Sequence, residues 1–175
     1  MKHITLIACL AIFMGTGCKK NKAKTELEKL PPITQTGANT FVCLVNGKAY
    51  IPNGNDGAYP NFRTIVDPAN SIIDIRTFSY DFVSGVKSQI FFGSSISKST
   101  GIFSFSNKGE VSLGIFKIMS CYIPSADSCY RKGNLIVSRY DLQNGIFSGE
   151  FECIIFGNNC TDTIRITNGR FDAKL

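Results

Sequence analysis

The sequence predicts an all-β domain: a single antiparallel β-sandwich or flattened barrel of about ten short strands, following a signal peptide and a flexible tether. Three observations carry this. Fourteen Phe, six Tyr and sixteen Gly stand among 175 residues, a composition suited to pleated strands joined by tight turns. From Asn39 onward, turn chemistry recurs about every eight to twelve residues. No stretch of that region keeps an amphipathic helical period beyond about two turns. With 43% apolar and 18% charged residues, the chain has enough apolar surface to pack a core, and its length suits one domain.

The N-terminus reads as an address. Met1-Lys2-His3 is a short positive region, Ile4 to Met14 is an apolar run of eleven residues, and Gly15-Thr16-Gly17 supplies small residues before Cys18. As a helix that run would rise about 16 Å, half of a hydrocarbon core, so residues 1–17 read as a secretory signal rather than a permanent span. The small residues ending in Cys18 resemble a lipobox, in which the cysteine is acylated and becomes the new N-terminus; Gly15 stands where the usual pattern has Leu. Residues 18–38 then form a lipidated, Lys-rich tether closed by Pro31-Pro32, and residues 39–175 form the β domain.

Within the domain, Thr40–Val45 and Lys48–Ile51 flank Asn46-Gly47, the dipeptide that best tolerates a type I′ hairpin turn. That turn sets Val45 opposite Lys48 and Cys43 opposite Tyr50. Pro52 to Pro60 is a loop. Further strands are expected at 72–82, 88–94, 101–106, 110–118, 135–141 and 145–155. A second hairpin is expected where Asp162–Thr167 and Arg170–Lys174 flank Asn168-Gly169, placing Ile166 against Phe171 and Arg165 against Asp172.

The formal charge of +6 would suggest a nucleic-acid surface if it lay on the domain. It lies mostly outside. Lys19 to Leu30 holds five Lys and two Glu, whereas from Asn39 onward thirteen cations face eleven anions scattered singly. Nucleic acid is therefore not an expected partner. Of seven cysteines, Cys9 leaves with the signal and Cys18 takes lipid. Cys121 with Cys129, and Cys153 with Cys160, each flank a turn-containing stretch and form the simplest local disulfides, each worth about 2–3 kcal/mol. Cys43, beside Phe41 and Val45, is then a buried free thiol.

Leu30 to Lys48, the stretch from Tyr140 through Gly149-Glu150-Phe151, and the ending Ile166 to Lys174 resemble a family of small uncharacterised Bacteroidota lipoproteins, a domain of unknown function. The likeness covers both ends well and the middle poorly, and Val42 stands where the family more often shows Gly. It implies an envelope lipoprotein with an all-β domain, and no catalytic residue. Surface-export signals of such bacteria place acidic residues after the acylated cysteine. Here Lys19-Lys20-Asn21-Lys22 follow, which points to the periplasmic face of the outer membrane.

The only histidine is His3, so removal of the signal leaves no Ser-His-Asp, Cys-His or His-metal mechanism. No cofactor is expected. Glu150 and Glu152 sit at i and i+2, roughly 7 Å apart on one strand face, a separation that overlaps paired-carboxylate glycosidases; their alternation with Phe147, Gly149 and Phe151 makes them a solvated outer face. Asn53 to Gly57 resembles a calcium loop but lacks the following Glu, and reads as a turn. Tyr50, Tyr59 and Phe62 around that loop, and Tyr122 and Tyr130 near the expected disulfide, are candidate ligand-stacking residues. Asp162-Thr163-Ile164 resembles a short O-glycosylation sequon, with Thr163 as acceptor. The expected function is a non-catalytic domain that binds an envelope glycan or protein. A structural subunit of an outer-membrane assembly and a glycan hydrolase using Glu150 and Glu152 are the alternatives.

Overall fold

The computed structural model describes residues 23–55, 57–70, 72–81, 83, 86–94, 100–105, 111–116, 129–157 and 163–175. The signal peptide, Cys18, Cys121, Tyr122 and Cys160 lie outside the described residues.

Ten strands are present among them: β1 Thr40–Val45, β2 Lys48–Tyr50, β3 Phe62–Asp67, β4 Ile72–Asp81, β5 Val86–Ser94, β6 Gly101–Phe105, β7 Val111–Phe116, β8 Cys129–Asp141, β9 Ile146–Gly157 and β10 Ile164–Lys174. No described residue is helical. The hydrogen-bonded order is β2-β1-β10-β9-β8-β6-β7-β5-β4-β3. All pairs are antiparallel except β6 with β7, which meet in parallel at Phe105 and Val111 alone. That junction divides the strands into two antiparallel halves that fold face to face. Phe92 of β5 lies 5.1 Å from Phe151 of β9 and 6.0 Å from Phe171 of β10, and Phe62 of β3 lies 5.9 Å from Phe41 of β1. Strands β2 and β3 end the order unpaired with each other. The expected all-β fold is therefore an open sandwich rather than a closed barrel.

Alternation builds the core, because every second residue of a strand points inward. Ile73, Ile75, Ile90 and Phe92 from one half meet Phe41, Leu135, Phe151 and Phe171 from the other, all buried. Cys43 is also fully buried as a free thiol, and burial pushes its pKa well above the ordinary thiol range. No disulfide occurs among the described residues. Cys153 is buried, with Sγ 3.6 Å from the Ile154 carbonyl, and Cys129 opens β8 opposite Gly157; the expected partners of both lie outside the described residues.

The first hairpin forms in the expected register, with Val45 opposite Lys48 and Cys43 opposite Tyr50. Both turn residues take positive φ, 48° at Asn46 and 79° at Gly47, as a type I′ turn requires. The second expected hairpin does not exist. β10 runs straight through Asn168-Gly169 as one strand, and only Asn168 has positive φ. The register with both β1 and β9 shifts beside this dipeptide, which marks a bulge. Phe171 consequently faces Phe41 and Gly149 instead of Ile166. Strand β3 was not expected at all.

The segment expected as a flexible tether is docked from Thr25 onward. Thr25 and Glu28 cap each other, with the Thr25 amide donating to Glu28 Oε2 at 2.7 Å. Glu26 Oε2 accepts from the Ala49 amide at 2.8 Å, and Leu30 is buried against Val42 and Leu44 on the outer face of β1. Asp172 then gathers the rest of the segment. Its carboxylate accepts from Thr34 Oγ1 at 2.7 Å and from the amides of Thr36, Gly37 and Ala38 at 2.8–3.1 Å, as well as from Ser148 Oγ at 2.7 Å. Burial opposes its ionisation, but these donors outweigh burial and hold the carboxyl well below the usual range.

Candidate functional site

The outer face of β3, β4 and β5 carries a groove of about 340 Å³, within the range of small-ligand sites. Because Thr64, Ile75, Ile90 and their alternates turn inward, the intervening residues face out. Register then brings Arg63 opposite Arg76 and Arg76 opposite Phe91, with Phe78 opposite Gln89 beside them. The loop from Ile51 to Asn61 folds along the same face. The Asn53 and Phe78 amides donate to the carbonyls of Phe78 and Asn61, and Asn53 Oδ1 accepts from the Tyr80 amide at 2.7 Å. This seats Tyr59 over β3, with the Arg63 guanidinium 4.5 Å from its ring centroid.

Two guanidinium groups directly opposite each other repel. Asp74 offsets one of them, accepting from Arg76 Nε at 2.8 Å and Nη2 at 2.7 Å, which raises the Arg76 pKa further. Among the described residues Arg63 has no acidic partner. Lys87 Nζ lies 4.3 Å from the Phe78 ring centroid at the same face. Two guanidinium groups and the one carboxylate of Asp74 thus meet on this face, between the rings of Tyr59 and Phe91. Such a surface can take a carboxylate, phosphate or sulfate between its arginines and a flat apolar ring against its aromatics.

Of the residues singled out in the sequence, Tyr59 belongs to this groove and is half-exposed. Tyr50 does not. It is buried, its hydroxyl 3.2 Å from Thr77 Oγ1, so it is a core residue. Phe62 points inward against Phe41 and is likewise removed from the stacking candidates. Tyr130 is exposed on the other half, where it stacks on Phe156 at 4.8 Å. Glu150 and Glu152 both face solvent, opposite Ile136 and Asn134. Thr163 is exposed while Ile164 and Ile166 are buried. In the calcium-like loop, Asn53 and Asn55 spend their side-chain oxygens on the amides of Tyr80 and Gly57. A second outer-face groove of about 410 Å³ holds Lys132, Asn134, Glu152 and Arg165 but no aromatic residue. Arg63, Arg76, Gln89 and Phe91 escaped the sequence reading because their meeting depends on β3. Compared with protein-family models, curated proteins and solved structures, the chain matches none of them.

Proposed function

We propose that this chain is an envelope lipoprotein, acylated at Cys18 and held on the periplasmic face of the outer membrane. Its β-sandwich binds a small anionic ligand with a ring-like apolar face and does not transform it. The observation that carries this reading is the Arg63–Arg76 pair flanked by Tyr59 and Phe91. Supporting it, no histidine follows His3, and Glu150 and Glu152 are both exposed, with only Glu152 bordering a groove and that groove lined by no aromatic residue. A structural role within an assembly draws on a different observation: Ile102 and Ile136 face each other across β6 and β8 and are 71% and 40% exposed.

Calorimetric titration of the purified protein with sulfated, phosphorylated, carboxylated and neutral saccharides tests the groove. Binding confined to the anionic members, weakened about tenfold or more by Arg63→Ala and by Arg76→Ala, supports it. Undiminished binding in both variants, or hydrolysis that vanishes in Glu150→Gln and Glu152→Gln, overturns it. Intact mass of membrane-extracted protein tests the anchor, since an unmodified Cys18 overturns it.

A further inference from the structure

The docked N-terminal segment decides how far from a membrane the domain can stand. We infer that the outer face of β1 and β2 rests on an anionic lipid surface, so that the Arg63–Arg76 groove looks away from it. This rests on acylation at Cys18. A tether free to residue 38 would let the domain rise about 70 Å. Docking begins in the turn that Thr25 and Glu28 close, which the Glu26 carboxylate on the Ala49 amide and the burial of Leu30 hold to the domain. Six residues lie between Cys18 and Thr25, so across these seven steps the reach falls to about 24 Å when fully extended and to about 15 Å on average for a flexible chain.

Charge then closes the remaining gap. From Cys18 to Lys48 the chain holds six Lys and two Glu, a balance of +4. Lys24 and Lys48 are exposed, as is Lys29 beside Glu26. Leu27, half-exposed on the docked turn, adds an apolar contact. Lysines held within about a Debye length of anionic headgroups are drawn to them. The two halves of the sandwich pack by their inner faces, so the outer face of β1 and the outer face of β3–β5 point in opposite directions. A membrane under the first leaves the ligand groove open to the aqueous side.

The test uses the full-length acylated protein on vesicles of phosphatidylglycerol with phosphatidylcholine and on vesicles of phosphatidylcholine alone. Surface lysines are modified with an amine-reactive reagent and read by peptide mass spectrometry. Lys24, Lys29 and Lys48 should react several-fold more slowly on the anionic vesicles, with Lys87, on the outer face of the other half, unchanged. Protein that sediments with both vesicles yet shows the same reactivity at Lys24, Lys29 and Lys48 on each of them overturns the placement while leaving the anchor intact. Protein that stays in the supernatant overturns the anchor, and the placement with it.

Discussion

The ring of Phe171 lies over Gly149, its Cζ only 2.8 Å from where a Cβ on that glycine would sit. The two residues face each other across β9 and β10, and the same device recurs two positions along, where Phe151 covers Gly169 with ring atoms 2.6 Å from an added Cβ. Each glycine makes room for the aromatic ring opposite it, and both rings belong to the core. Gly149→Ala should therefore destabilise the domain by about 2–3 kcal/mol through overpacking, the Ile136 carbonyl at 2.2 Å leaving no escape. Gly101→Ala is the control: its nearest neighbours lie at 3.6 Å and beyond, and denaturant midpoints should show it close to wild type.

Asp172→Asn should lower stability by about 3 kcal/mol, because a buried carboxylate accepting several charge-assisted bonds is replaced by a group that accepts fewer. The folded pKa of Asp172 lies below that of the unfolded chain, so its contribution is complete above about pH 5 and is lost as pH falls below about 4 toward the folded value. Urea melts from pH 7 to pH 2 should show a falling acid limb in the wild type and a flatter one in the variant. Equal slopes would show that Asp172 is not the group responsible.

Leu30→Ala removes the apolar contact that holds the N-terminal segment on Val42 and Leu44. We expect a loss of about 2 kcal/mol or somewhat more, together with faster proteolytic cutting between Lys24 and Ala38 than in the β-strands. A cleavage pattern unchanged from wild type would mean that the Asp172 contacts alone hold the segment.

Arg131 is 5% exposed and points inward opposite Ile155, and its Nε and Nη1 have no hydrogen-bond partner among the described residues. A buried guanidinium with two unpaired nitrogens costs desolvation that is returned only in part. Arg131→Met, which keeps the length of the side chain, should raise the denaturation midpoint by an amount equivalent to about 1–3 kcal/mol. A lower midpoint would refute this.

Alternation and turn chemistry located nine of these strand regions in the sequence, since a period of two and a positive φ at Asn or Gly are local properties of the chain. β3 escaped because its faces are mixed: Thr64 points inward and Ile65 stands half-exposed at a sheet edge, so no apolar stripe marks it. The groove was legible only through Tyr59, because the meeting of Arg63, Arg76 and Phe91 needs three strands in register. Asn168-Gly169 shows the division most clearly. Its residues determine a positive φ at Asn168 just as Asn46-Gly47 does at Asn46, but reversal requires positive φ at the glycine too, and there the partners decide. β1 and β9 flank β10 on both sides and hold it extended across the dipeptide, so what is a turn at one end of the chain is a bulge at the other.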